Sequence, residues 1–251
     1  MSDIKLYHYW DSTCSMKVRM FLAEKELEWE SIHIDLGKMK HLDAEYMAIN
    51  RYGVVPSLTH NSETIVQSNI ICEYLEERFP QSGQSLFPEE PMAKARMREW
   101  AYHESEYLFR DIATATFNLM IKQKVKIIGE DRMRAAADAH PNQERAQARV
   151  KGLLSPIDTS GVEKARNAVD DVCRRMEDVL SQSEWLAGDQ FSLADISYAP
   201  YVDRMEHLFW SDLWQDRPAL SDWAGRVKNR PSYQASVPPD DQRLPPPVKA
   251  A

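Results

Sequence analysis

Paired cysteines are missing from this chain of 251 residues, and with them any disulfide framework. Its three cysteines, Cys14, Cys72 and Cys173, lie far apart, form no C-x-x-C pair and carry no metal-ligand spacing. The seven histidines include no H-x-x-x-H pair, so no metal site is expected. A basic excess is missing too. With a net charge of −8 and no long basic cluster, the chain lacks the footprint that displaces counterions in general nucleic-acid binding. No uninterrupted apolar run nears the ~18 residues of a membrane span. The opening Met1-Ser2-Asp3-Ile4-Lys5 lacks the basic and apolar regions of a signal peptide, and no internal repeat is visible. The expectation left by these absences is a soluble, cytoplasmic globular protein, long enough for one large domain or two small ones.

What the chain does contain is a clear order of elements. Residues 4–10 read as a strand, 11–15 as a polar loop, 16 to about 27 as a helix with Val18, Phe21 and Leu22 inward, and 29–36 as a second strand. Strand, helix and strand in so short a span favour a parallel βαβ unit. A short helix over 42–49 precedes two strands near 55–59 and 64–66, joined tightly by His60-Asn61-Ser62-Glu63. Ser68 then caps a helix carrying Ile71, Leu75 and Phe79 and ended by Pro80. Residues 1–80 thus form a β-α-β-α-β-β-α domain and 81–90 a linker. Residues 91–236 read as all-helical: a long helix from Pro91 to about residue 121, short helices and loops over 122–160, a strongly amphipathic helix over 162–181, a capping box at Ser192-Leu193-Ala194-Asp195, and a helix over 218–229. Residues 237–251, with five prolines, read as an extended or mobile tail.

Two local patterns carry chemistry. In Val54-Val55-Pro56-Ser57-Leu58 the proline cannot donate a ladder hydrogen bond, so Pro56 is expected in an edge or cis turn that offers the Val55 backbone to a guest peptide. Gln67 and Ser68 follow at a helix start, where free N–H groups favour a carboxylate. Together they suit a small acidic peptide; taken singly, an edge turn and an ordinary N-cap explain them as well. The second pattern is Ser12-Thr13-Cys14-Ser15, where the first strand hands over to the first helix. Hydroxyls and a thiol there can stabilise a thiolate, on a bound substrate or on Cys14 itself. Serine and threonine are also the commonest N-caps, and a lone cysteine is often a small core residue.

In this order and spacing V-V-P-S-L, Q-S, W-L-A-G-D, F-S-L-A-D-I and W-A-G-R-V-K-N-R-P-S resemble the cytosolic glutathione transferases over most of the chain. The resemblance implies that family's fold, an α/β thioredoxin-like N-terminal domain plus an all-α C-terminal helical domain. It also implies an enzyme that uses glutathione as co-substrate. Val55 and Pro56 would pair with the glutathione cysteine, Gln67 and Ser68 would meet its γ-glutamyl carboxylate, and His41 its glycyl carboxylate. Many relatives carry a glutamine where Val54 stands, so one side-chain contact would be absent. The stretch S-T-C-S-M-K-V-R resembles three groups at once. Zeta-like classes would place the sulfur-contacting hydroxyl on Ser12, the bacterial beta class a cysteine on Cys14, and the glutathione-dependent β-aryl etherases a serine on Ser15. A serine acts here by hydrogen-bonding the thiolate, since its own pKa is too high for it to serve as a base.

The acceptor pocket is expected to draw on Tyr9, Trp10, Trp100, Tyr107, Phe117 and Met120, with Trp10 and Tyr107 preferred, although such residues at helical spacing also read as core. The implied activity is a glutathione S-transferase of detoxification type, acting on an apolar, aromatic electrophile, with β-aryl ether cleavage as its sharpest form. The alternatives are a Cys14-dependent thiol oxidoreductase or lyase, a non-catalytic glutathione-binding module and, as a minor option, isomerisation of maleyl-type diacids. A homodimer is implied, and the regularly spaced Met92, Arg96 and Glu99 are consistent with a covered face.

Overall fold

The computed structural model describes residues 3–248. Strand β1 (Ile4–His8) turns Ile4, Leu6 and His8 inward in strict alternation, as a half-buried strand should. It pairs in parallel with β2 (Glu30–His33) and antiparallel with β3 (Ser57–His60), which continues antiparallel to β4 (Glu63–Val66), giving the sheet order β2-β1-β3-β4. Helices α1 (Thr13–Glu24), α2 (Ala44–Ile49) and α3 (Ser68–Arg78) complete this part. Burial of a neutral imidazole in the sheet requires that its polar atoms be matched. The Arg19 guanidinium donates to His8 Nδ1 at 3.2 Å, which leaves Nε2 to donate to Ser31 Oγ at 2.8 Å.

Helix α1 begins three residues earlier than its apolar pattern suggests. Ser12 is its N-cap, with Oγ accepting from the Ser15 N–H at 3.2 Å, so Thr13, Cys14 and Ser15 form its first turn and not a loop. Ser68 likewise is the first residue of α3, not its cap. That position falls to Gln67, which sits at φ +73°. The strands are also shorter than their β-like composition implies: Tyr9 and Trp10 lie beyond β1, and β2 ends at His33.

The rest of the described chain is helical: α4 (Pro91–His103), α5 (Phe109–Leu119), α6 (Lys124–Ile128), α7 (Glu130–Asp138), α8 (Gln143–Leu154), α9 (Thr159–Leu180), α10 (Leu193–His207), α11 (Asp212–Gln215), α12 (Pro218–Lys228) and α13 (Pro231–Ser236). The long helix expected after Pro91 is broken into α4 and α5 by a wide π turn at Glu104–Leu108, where the Glu104 carboxylate is drawn into the core. Ser192 and Asp195 form the full reciprocal capping box, and Asp195 also accepts from the Leu186 N–H and the Trp223 indole. Helices α6 to α8 build a small core of their own, in which Met133, Ala137, Ala146, Val150 and Leu153 meet Met39 and Leu42 from the segment before α2.

The proline-rich tail is extended but not loose. Arg243 makes two hydrogen bonds to the Asp203 carboxylate, at 3.1 and 2.9 Å, Leu244 is buried, and the Val248 N–H donates to the Leu119 carbonyl at 3.0 Å. The bonds holding α1 are similarly long-range: Arg19 donates to the carbonyls of Trp10 and Ser236, both at 2.8 Å, and Glu24 accepts from Arg230. These ties fix the β1–α1 connection, and with it Ser12, against the helical part of the chain.

Candidate active site

A cleft of about 670 Å³ opens where the first turn of α1 faces α5. Its lining is mostly apolar, as small-molecule sites generally are. Ser12, Thr13 and Cys14 form one wall, Val54 and Val55 a second, and Ile112, Thr116 and Phe117 of α5 a third. Residues 36 and 41 close it on one side and Leu244 of the tail on another.

The three candidate sulfur contacts stand apart in this setting. The Ser12 hydroxyl accepts the Ser15 N–H through a lone pair, which leaves its proton free to donate into the cleft. Ser15 is fully buried, accepts from the Tyr9 N–H at 3.4 Å and does not line the cleft. Cys14 does line it, but burial and then the Glu104 carboxylate push its thiol up to about 11, outweighing the downward pull of Lys17, Ser68 and Thr13. At neutral pH such a thiol is protonated and a poor nucleophile.

Val55 is positioned from behind. The Tyr46 hydroxyl and the Asn50 side-chain amide donate to the Val54 carbonyl at 2.6 and 2.8 Å, and both also contact Ser57 Oγ, the first residue of β3. The Val55–Pro56 peptide is cis. Gly53 stands at φ +62°, and a Cβ there would come within 3.1 Å of the His41 carbonyl, so this turn can lie against the His41 segment only with glycine.

Behind the cleft a buried polar chain links the two parts of the protein. The Lys17 ammonium donates to the Glu104 carboxylate, to Asn69 Oδ1 at 2.8 Å and to Ser68 Oγ at 3.2 Å, while the Tyr201 hydroxyl donates to the other Glu104 oxygen. Ser68 is buried and Gln67 exposed beside it. Neither Lys17 nor Glu104 was among the expected site residues. Their signal is faint: Glu104 continues the inward series Met97, Trp100, Leu108, Ile112, and an acid on such a face needs a partner.

Of the expected acceptor-pocket residues, the cleft gathers Tyr9 and Phe117 only. Trp10 turns its ring to His8 and to Arg19, whose guanidinium lies 4.6 Å from the ring centroid. Trp100 is buried edge-on to Tyr198. Tyr107 is on the surface beside His103, and Met120 is fully buried, with an Arg204 N–H directed at its sulfur. Two buried polar atoms lack a partner among the described residues while their residues line the cleft, His41 Nδ1 and Thr116 Oγ1. Such atoms fit a polar ligand, because an unmatched buried group is costly. Among the described residues no cluster of His, Cys, Asp or Glu could hold a metal ion, and no helix is long and apolar enough to cross a membrane.

His41 also predicts a pH effect on stability. Burial, then the Arg149 charge, lowers its pKa from 6.5 to about 4. Below pH 6.5 the unfolded chain takes up a proton that the folded chain refuses until about 4, so stability is lost across that window as pH falls. Urea unfolding at pH 7 and pH 4 should differ by on the order of 3 kcal/mol from this residue. His41→Gln should flatten the slope; an unchanged slope would show that His41 is not held neutral.

Comparison with known proteins places the chain. The family "Glutathione S-transferase, N-terminal domain" matches residues 2–77 and "Glutathione S-transferase, C-terminal domain" matches residues 143–226. Protein LigF of Sphingobium sp. strain SYK-6 is 28% identical over 235 residues, covering 92% of this chain and 91% of that protein. The crystal structure of this beta-etherase superposes with a TM-score of 0.83, covering 93% of this chain and 98% of the other. Glutathione S-transferase F13 of Arabidopsis thaliana is 25% identical, covering 92% of this chain and 93% of its own length. Glutathione transferase F7 of Populus trichocarpa, also 25% identical, superposes with a TM-score of 0.75 over 93% of this chain and 97% of that one.

Proposed function

This chain belongs to the glutathione S-transferase family and is a glutathione-using transferase, and from that premise we propose that it directs the glutathione thiolate onto an aromatic β-aryl ether. The observation that carries the reading is the Ser12 hydroxyl, its acceptor side occupied by the Ser15 N–H and its proton available to an apolar cleft beside Val55. Ser12 donates to the sulfur and so favours the thiolate over the thiol, helped by the α1 N-terminus. Val55 pairs with the peptide backbone next to Pro56, Gln67 and Ser68 take the γ-glutamyl carboxylate, and His41 donates to the glycyl end. In the transfer a sulfur–carbon bond forms at the ether carbon, the carbon–oxygen bond breaks, and the aryloxide leaves with the electron pair. The likeness to a beta-etherase over nearly the whole chain supports this acceptor class.

The test is incubation of the protein with glutathione and a guaiacyl β-aryl ether ketone, followed by mass spectrometry. The glutathione thioether and free phenol should appear in equal amounts. Calorimetry alongside should give glutathione binding that Ser68→Ala weakens by about 1–3 kcal/mol. Binding without turnover of this or any simple aryl electrophile would leave a glutathione-binding module. We further propose a cytoplasmic homodimer: light scattering should give about twice 29.0 kDa, and fractionation a soluble cytosolic pool. Met92, exposed on α4, is a candidate for its interface.

A further inference from the structure

The buried cations of this protein are matched: Lys17 pairs with Glu104, Lys25 with Glu76 at 3.1 Å and Arg204 with Asp11, while Arg19 and Lys122 donate to carbonyls and neutral side chains. Two cations on the cleft wall break that pattern. Lys124 opens α6, and Arg149 lies in α8, both within the small helical unit that packs against the segment before α2. Neither side chain makes a hydrogen bond or an ion pair with any described residue. Lys124 Nζ lies 5.8 Å from the centroid of the Tyr9 ring and against Gly37, and burial lowers the pKa of both side chains.

The nearby acids are already committed. Asp11 accepts from Arg204 and from the Leu244 N–H. Asp35 accepts from the N–H groups of Gly37 and Lys38, at 2.9 and 3.1 Å, and pairs with the Lys38 ammonium at 3.3 Å. A partly desolvated cation with no directly paired counter-charge is costly unless a ligand supplies one. Arg149 and Lys124 come from the helical part of the chain, whereas every group assigned above to glutathione comes from the first 68 residues.

We propose that Arg149 and Lys124 form an anion subsite for the acceptor, so that the preferred electrophile is an aromatic compound carrying a carboxylate. The subsite rests on the glutathione-transferase reading of the cleft. The ring of such an acceptor meets the Phe117 and Ile112 side, and its carboxylate meets the two cations.

The experiment compares two ligands that need no turnover. Glutathione displaces chloride from 4-chloro-3-nitrobenzoate or 4-chloro-3-nitrobenzamide, giving aryl conjugates that differ only in carboxylate against carboxamide. Calorimetry at low salt should give a Kd at least about tenfold lower for the carboxylate conjugate, as expected for charge-assisted hydrogen bonds. Arg149→Met and, separately, Lys124→Gln should shrink that preference and leave the Kd of glutathione unchanged. Equal affinities for the two conjugates in the wild-type protein overturn the subsite while leaving the glutathione reading intact. Variants that weaken glutathione itself and keep the preference overturn it also, because they assign the cations to the glycyl carboxylate. Failure of glutathione and of both conjugates to bind overturns the subsite and the proposed function together.

Discussion

Glu104→Ala should destabilise the protein by about 3–5 kcal/mol, the range for removing one member of a buried ion pair. Glu104 and Lys17 are both almost fully buried, and Glu104 also accepts from the Tyr201 hydroxyl. Without the carboxylate, the Lys17 ammonium would remain buried with only Asn69 Oδ1 and Ser68 Oγ as acceptors. A shift of the urea midpoint at unchanged slope is the measurement. The double replacement Lys17→Met with Glu104→Met separates charge from packing: if the penalty comes from an orphaned charge, the double variant should be far closer to wild type than the single one. A second readout is Cys14, whose thiol is held up partly by the Glu104 carboxylate and pulled down by Lys17. In Glu104→Gln, iodoacetamide should alkylate Cys14 faster at a given pH. A wild-type rate together with a wild-type midpoint would show that the pair contributes nothing to either property.

That pair also marks where reading the sequence stops. The order of elements over residues 4 to 80, though not their ends, was legible because its signals are local: alternation in β1, the short turn between β3 and β4, and the proline after Val55 each constrain a few neighbouring residues. Ser192 and Asp195 were legible for the same reason, since a capping box is complete within four residues. The acceptor cleft was not. Helical periodicity separates inward from outward faces, yet Trp100, Met120 and Phe117 are all inward, and only Phe117 meets the cleft. Which inward face meets a void depends on how α5 lies against α1, a long-range fact that no single segment encodes. Lys124 and Arg149 were hidden in a polar stretch whose composition resembles an ordinary solvated surface. The tail misled in the opposite direction. Its prolines argue against a long helix or strand, and through residue 248 it forms only a short 3-10 turn at Asp240–Gln242, but one leucine and a paired arginine suffice to hold it in place.

Ser12→Ala should reduce kcat/KM by roughly 10²–10³-fold, the range for deleting one hydrogen-bond donor aimed at developing or stabilised negative charge. Ser12 is the one candidate among Ser12, Cys14 and Ser15 that both lines the cleft and keeps a hydroxyl proton to donate. The variant also removes the α1 cap, which costs stability by about 1 kcal/mol, so a rate loss alone does not identify the donor. The pH profile does. In the wild type the rise of kcat/KM with pH should reflect a glutathione thiol ionising well below its free value, whereas in Ser12→Ala the rise should move up toward a pKa of about 8.5. Ser15→Ala, which removes only the buried acceptor of the Tyr9 N–H, should lower stability and leave the profile in place. Cys14→Ala should leave it in place as well, because a thiol pushed up to about 11 contributes no charge near neutrality. A profile that stays fixed in Ser12→Ala but moves in Cys14→Ala would transfer the role to the cysteine, and an adduct of Cys14 with oxidised glutathione would then make the protein a thiol oxidoreductase.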